Sequence, residues 1–172
     1  SIQEFDPTHE NWFWVQVTDY WGQINTGEGM TNEIDPPPSQ IDVHDVSYDL
    51  NDMTVSWGRS QDDDFGNYSI YKSDSELGER TFINVNDNPT DTILVVSEFD
   101  PTHENWFWVE VEDFWGQQTL GNGLTHPIDL PPDPIDIISV SYDLENMIVI
   151  WEESNEYDFS SYEVFQSSTE NG

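Results

Sequence analysis

Carboxylates gather in short runs along this chain, and clusters of oxygen donors are what a hard divalent cation needs. Asp62-Asp63-Asp64 forms one run and Asn155-Glu156-Tyr157-Asp158 another, while Asp100-Pro101-Thr102-His103-Glu104-Asn105 forms a third that is copied at residues 6–11. Calcium takes about six to eight oxygen ligands from carboxylates and carbonyls, and loops wrap it flexibly. The candidate calcium ligands are therefore Asp6, Glu10, Asp62, Asp64, Asp100, Glu104, Glu156 and Asp158. No EF-hand spacing is present, so the pattern does not select the ion. Asp-Pro and Asp-Asp also begin ordinary solvated turns.

Tryptophans are the second group. Trp106 and Trp108, with their copies Trp12 and Trp14, stand two apart, which places each pair on one face of a strand. Outward indole pairs offer a contact surface to another chain, a sugar or a neighbouring domain. The same spacing also describes a cross-strand aromatic ladder that only stabilises its sheet. His9 and His103 each sit in Asp-x-x-His-Glu, where a lone imidazole reads more simply as a hydrogen-bonded loop residue than as a transition-metal ligand. Gly27-Glu28-Gly29 and Gly121-Asn122-Gly123 lack the strand-to-helix context of a phosphate loop. Asn67-Tyr68-Ser69 is a glycosylation sequon at the start of a predicted strand. No nucleophile, base and acid share a characteristic spacing, and carboxylates are too numerous to single out a glycosidase-like pair. The chain reads as non-catalytic.

Charge narrows the partners. Against 36 acidic residues stand three basic ones, Arg59, Lys72 and Arg80, for a formal net charge of −33. Phosphate recognition depends on clustered Lys and Arg, so nucleic acid and anionic membranes are excluded as expected partners. Such a surface repels itself and calls for salt or bound cations to stay compact. High acidity with few aromatics would indicate disorder, but aromatics make up 14% of this chain, which is enough for packed cores. With no cysteine there is no disulfide and no thiolate metal site. No apolar run approaches the roughly 18 residues of a membrane span.

The chain repeats itself. Glu98 to Gly123 reads EFDPTHENWFWVEVEDFWGQQTLGNG, and Glu4 to Gly29 is nearly the same text. Phe5 answers Phe99, Trp21 answers Trp115, Trp57 answers Trp151 and Tyr68 answers Tyr162, a constant offset of 99 − 5 = 94. Roughly half of the aligned positions are identical, and a period this long is a whole small domain. Almost every periodic segment has period two. Phe107, Val109 and Val111 share one strand face, as do Met53, Val55 and Trp57, while Tyr68–Tyr71 and Thr92–Val96 are further β-rich runs. Turn-forming stretches separate them, and no segment of ten or more residues has a helical period. Short strands at this spacing predict an antiparallel β-sandwich. The runs Asp35-Pro36-Pro37-Pro38 and Asp129-Leu130-Pro131-Pro132-Asp133-Pro134 mark joints, because proline stiffens a connector and keeps it out of a central strand. They divide the chain into a tail piece (1–34), one complete unit (35–128) and a head piece (129–172).

The complete unit resembles a fibronectin type III domain of the kind found in tandem on bacterial surfaces. The prolines match the start of strand A, Thr54-Val55-Ser56-Trp57 matches strand B with its core tryptophan, and residues 64–73 match strand C. Trp106 to Val111, followed by Asp113-Phe114-Trp115-Gly116, matches strand F and its turn. The family's corner tyrosine is a departure, since its place falls near Asn105-Trp106. The resemblance implies an all-β chain of Ig-like sandwich repeats, one complete unit flanked by two partial ones. The tail would hold strands F and G, and the head A, B and C. Together these lack only the equivalent of residues 79–94, so head-to-tail contact between copies would almost complete a sandwich. The plainer expectation is a stretch of a longer array. In the resembled fold the loop before strand F faces the next domain and the B–C loop lies at the opposite pole. Asp6 and Glu10 would then meet Asp62 and Asp64 across the first joint, and Asp100 and Glu104 would meet Glu156 and Asp158 across the second. The expected role is a calcium-stiffened structural or adhesive repeat of an extracellular fibre or cell-surface protein. Its expected partners are other copies of itself or neighbouring repeats. A carbohydrate-binding region of a secreted enzyme, stacking polysaccharide on Trp106 and Trp108, is the alternative.

Overall fold

The computed structural model describes residues 4–169, and the chain divides into two compact units, Ser1–Ile128 and Asp129–Gly172. The described residues contain no helix. In the first unit, β1 (Trp12–Phe13), β2 (Gln16–Thr18), β3 (Ile24–Thr26) and β4 (Met30–Thr31) form one broken hairpin, β1 pairing with β4 and β2 with β3. A complete sandwich follows. One sheet orders β5 (Val43–Tyr48), β6 (Met53–Trp57) and β9 (Ile93–Val96) as β5-β6-β9. The other takes β7 (Phe65–Ser73), β8 (Thr81–Asn86), β10 (Trp106–Asp113) and β11 (Gln118–Leu120) in the order β11-β10-β7-β8. All pairs are antiparallel.

The core lies between these two sheets. Val46, Met53, Val55 and Trp57 face Tyr68, Ile70, Phe107, Val109 and Val111, all buried. Period-two alternation thus becomes two apolar faces that shield each other from water. The β5–β6 turn closes where the side chain of Asp49 accepts hydrogen bonds from the N–H groups of Asn51 (2.8 Å) and Asp52 (2.9 Å), and Asp143 repeats this with Glu145 and Asn146. At the corner before β10 an asparagine stands where the resemblance to fibronectin type III domains leads one to expect a tyrosine. The buried Asn105 donates through Nδ2 to the carbonyls of Asp100 (2.8 Å) and His103 (2.9 Å), and Nδ2 lies 3.0 Å from Nε2 of His126. Asn11 repeats the corner with the carbonyls of Asp6 and His9, and Asn32 there occupies the position of His126.

The second unit carries β12 (Ile137–Tyr142) paired with β13 (Met147–Trp151), the copies of β5 and β6. Residues 158–167, the copies of 64–73 expected as strand C, form no strand. The physical reason is visible in the complete sandwich, where β7 is held by ladders on both sides, to β10 and to β8. Neither partner has a copy in the second unit, so an extended segment there has nothing to bond. Its aromatic packing survives regardless. Trp151 meets Tyr162 edge-on at 5.6 Å, as Trp57 meets Tyr68 at 5.8 Å.

Tyr68 joins loop to core. Its buried ring packs on Trp57 and Phe65, and its hydroxyl accepts from the N–H of Ser60 (2.6 Å) and donates to the carbonyl of Pro89 (3.1 Å). Burial lifts its ionisation above the ordinary 10.0. The folded state therefore keeps the phenolic proton where the unfolded chain has lost it, and this contribution to stability fades as pH rises beyond 10. Tyr68→Phe should cost about 1–3 kcal/mol by leaving Ser60 N–H and Pro89 C=O without this partner. It should also flatten the alkaline limb of a melting-temperature profile. A residual slope from Tyr71, likewise raised by burial, remains in the variant.

Candidate metal centre

Three segments converge beside the proline linker. In the loop before β7, Asp62 accepts from the hydroxyl of Ser60 (2.9 Å) and the N–H of Ser39 (3.1 Å), which fixes the linker's end to this loop. Two residues on, the carbonyl of Asp64 accepts the N–H of Phe114 at 2.7 Å, bringing the β10–β11 turn alongside. That turn is built by Asp113, whose Oδ1 accepts the N–H groups of Trp115 and Gln117, both at 2.8 Å. Gly116 completes it at φ 81, a left-handed conformation that favours glycine. Asp35 comes from the linker itself. Its N–H donates to the carbonyl of Pro7 (3.0 Å), and its carbonyl and Oδ2 both accept from Nε2 of Gln117 (3.2 Å each).

The result is a carboxylate triad. One oxygen each from Asp35, Asp64 and Asp113 lie within 4.8 Å of one another, the one such group of three among the described residues. Asp113 is buried, while Asp35 and Asp64 are half-buried. Oδ2 of Asp64 is fully buried without a hydrogen-bond donor. Two carboxylate oxygens facing each other can bond only through a shared proton or a cation. Desolvation, then the charge of Asp35, pushes the Asp64 carboxyl above its ordinary 3.8. Its ionised form is thus a liability of the bare site at neutral pH. Hard oxygen donors in a loop-built cleft suit a hard divalent cation. The copies of all three that fall within the chain are again aspartates: Asp129, Asp158 and Asp19.

Of the residues expected from sequence, Asp64 alone joins this group. Asp6 is turned onto its own loop, accepting from the N–H (2.9 Å) and hydroxyl (2.7 Å) of Thr8 and contacting His9 Nδ1 at 3.0 Å. Asp100 does the same with Thr102 and His103. The Thr hydroxyls hold both carboxyls below their usual range. The Glu10 carboxylate accepts the indole N–H of Trp12, and that of Glu104 accepts the N–H of Trp106. Glu156 accepts the N–H of Asp133 (3.2 Å), repeating Asp62 with Ser39, and Asp158 lines a cleft with Pro132 and Asp133. Asp64 thus groups with Asp35 and Asp113, two residues not among those expected. In Asp-Pro-Thr-His the aspartate carboxylate is hydrogen-bonded within its own turn. Asp35 and Asp113 escaped sequence reading because one looked like punctuation before prolines and the other like a turn residue. Their shared signal was retention in the repeat.

The tryptophans need a correction as well. Trp106 and Trp108 stack at 5.9 Å and 22°, yet Trp108 is only 3% exposed. Arg80 covers its ring at 4.6 Å, and the ring packs so tightly over Gly123 that a Cβ there would collide with it. Trp12 and Trp14 stack likewise at 6.1 Å, but no copy of β8 lies over them and Trp14 is 59% exposed. Period two placed these indoles outward correctly, but it could not show which strand would cover them.

No family model matches this chain, and no curated protein does. Among solved structures, it is similar to pectate lyase PelI from Erwinia chrysanthemi in complex with tetragalacturonic acid, at 17% identity and TM-score 0.45, covering 51% of this chain and 28% of that one. Pectate lyase Pel3 from Pectobacterium carotovorum gives 18% and 0.45, covering 56% and 29%. Domains A168-A170 of titin give 16% and 0.44, covering 69% and 41%. The chain thus spans well under half the length of each, and likenesses this slight carry no argument about activity.

Neutralising the triad should stabilise the bare protein. In cation-free buffer, the native state holds the Asp64 proton above pH 3.8 where the unfolded chain has released it, so this group's contribution falls as pH rises from there toward neutrality. Asp64→Asn should melt higher than the parent at pH 7 in chelator, and the difference should shrink toward pH 4. A parent and variant with the same pH profile would contradict a desolvated, crowded Asp64.

Proposed function

We propose that this chain is a non-catalytic structural or adhesive repeat of an extracellular fibre or surface protein, with each linker pinned to its sandwich by calcium on the Asp35–Asp64–Asp113 triad. Its partners are neighbouring repeats and other copies of itself. The observation that carries this reading is that Asp64, whose Oδ2 is buried without a hydrogen-bond partner, has a carboxylate oxygen within 4.8 Å of one from Asp35 and one from Asp113, where linker, loop and turn meet. A cation there would tie Asp35, at the root of Pro36–Pro38, to the sandwich and fix the direction in which the linker leaves it. Repetition supports the same reading, since it multiplies a mechanical unit more naturally than a single active site. With 36 acidic residues per chain, divalent ions also relieve self-repulsion. Saline surroundings suit such a surface.

The glycan-binding alternative draws on the exposed Trp12–Trp14 stack. In the complete unit the equivalent platform is already taken, with Arg80 on the face of Trp108 that a sugar ring would use. A fibre role is therefore favoured.

Thermal unfolding with millimolar calcium, with magnesium as control at fixed ionic strength, tests the proposal. A ligand at about 100 times its Kd contributes about 2.7 kcal/mol. For a domain of about 100 residues that is a rise of several degrees or more. The rise should be specific to calcium and lost in Asp64→Asn and Asp35→Asn, and it should persist in Asp6→Asn and Glu104→Gln. An equal response to magnesium, or none, would reduce the triad to part of a diffuse acidic coat. Quenching of tryptophan fluorescence by a neutral polysaccharide at micromolar protein would instead favour the glycan reading.

A further inference from the structure

One strand in the middle of the complete sandwich is open along its outer edge. In the order β11-β10-β7-β8, β8 has a ladder to β7 on one side and ends the sheet on the other. Natural edge strands are commonly guarded by charges or proline against pairing with another chain. β8 reads Thr81-Phe82-Ile83-Asn84-Val85-Asn86 and carries neither, although 23% of the chain is charged. Phe82, Ile83 and Val85 are 53%, 37% and 54% exposed. The N–H of Val85 donates to the side chain of its own neighbour, Asn84, at 3.0 Å, an exposed bond that an incoming carbonyl could replace.

Charge is distributed unevenly along this edge. Two of the three bases stand at its start: Arg80 immediately precedes β8, and Lys72 on β7 lies opposite Thr81. The ion pairs among the described residues are both His–Asp contacts, so neither base has a carboxylate partner there. The far end is acidic, with Asp87 directly after β8 and Asp91 four residues further, both exposed.

We propose that two copies of this chain pair edge to edge through β8, antiparallel about a two-fold axis normal to the sheet. This rests on the reading of the chain as a structural repeat whose partners include other copies of itself, and it names the surface they share. Phe82 then lies opposite Val85 of the second copy, Thr81 opposite Asn86, and Arg80 opposite Asp87. Such a register needs opposed side chains on one face, which residues three apart on a regular strand do not provide. The bulge in β8 supplies it. Phe82 pairs with Tyr71 and Val85 with Ser69, and because Tyr71 and Ser69 are two apart, Phe82 and Val85 share a face. Thr81 and Asn86, opposite Lys72 and Tyr68, share the other.

A second open edge shows the contrast. β9 ends the order β5-β6-β9, and its Ile93 and Val95 are 57% and 56% exposed. Both its flanks are acidic, at Asp91 and Glu98, so antiparallel pairing with itself would bring acid toward acid. In a chain of net charge −33, the edge that brings base to acid is the one able to meet its own copy.

Sedimentation equilibrium of the full 172-residue chain tests this, at about 0.5 M salt where the screening length is near 4 Å. A six-residue edge is a small interface, so pairing is weak, and mass should climb toward a dimer as protein approaches about 0.5 mM. Val85→Lys should weaken pairing at least about tenfold by charging the edge. The same variant should leave the melting of the sandwich unchanged, since Val85 is exposed. Asp87→Lys should weaken pairing about fivefold by setting base against base twice, and Arg80→Glu in the same chain should restore it. Both lysine variants make the chain less acidic, so a rise in general repulsion does not account for their loss. A strictly monomeric mass up to about 0.5 mM would overturn the proposal, as would an Asp87→Lys defect that Arg80→Glu does not repair. A dimer that Val85→Lys leaves intact would also overturn it, by placing the contact elsewhere. A monomer that keeps its calcium-specific rise in melting overturns the pairing and leaves the pinned linker standing. A dimer without any calcium response supports the pairing and removes the pin alone.

Discussion

Every other feature of this molecule depends on two sheets hiding each other's inner face. A strand with alternating residues has one apolar side that water penalises, at roughly 25 cal/mol for each Å² left bare. In the complete unit that side is closed: Met53 and Val55 on one sheet and Phe107, Val109 and Val111 on the other have no measurable exposure. The same residue types one repeat away, with no opposing layer, stand in solvent. Sequence, strand formation and local turns are nearly unchanged between the copies, and only the partner sheet differs. Asp49 and Asp143 close the same turn, and Trp57–Tyr68 and Trp151–Tyr162 meet at nearly the same distance. Local structure here is set by local text, while burial is set by what lies across the layer.

The acidic surface adds a second constraint that the core cannot answer. With three basic residues, direct ion pairing offsets little of the charge, and the carboxylates must find neutral donors instead. They do so close to home. Asp6 and Asp100 take hydroxyls and backbone N–H groups two residues on, Asp49 and Asp143 cap their own turns, and Glu10 and Glu104 accept indole N–H groups. Where three chain segments crowd together, local donors run out. Gln117 serves Asp35 and Asp113 with one amide, and Asp64 Oδ2 is left over. The metal reading grows from that local shortage of donors rather than from the number of acids.

Much of the fold was legible in the sequence. Alternation located the inward faces of β6 and β10, prolines and Asp-rich stretches located the connections, and the 94-residue repeat tied the copies together. The failures share one physical cause, which is that sequence gives direction without neighbours. Trp108 points outward as its period requires, but Arg80, just before β8, covers it, and that meeting depends on sheet order. Residues 161–167 have the composition of strand C, but a strand needs a ladder, and the copies of β8 and β10 are not in the second unit. For the site, Asp64 was found through its acidic run. Asp35 and Asp113 were missed because their importance comes from convergence of three loops, which spacing along the chain does not encode. The asparagine corner was visible only as a gap where a tyrosine belonged, and its replacement emerged from the bonds of Asn105 to Asp100, His103 and His126.

The coverage of Trp108 gives the molecule an optical consequence. An indole pressed between a glycine and a guanidinium, out of water, emits at shorter wavelength than one in solvent, and the nearby cation shifts its excited state further. Trp14 has the same neighbour in sequence and the same glycine beneath it, but its outer face is open. The two halves of one repeat pattern thus carry differently coloured lamps. The colour of each records whether a guanidinium lies over its ring.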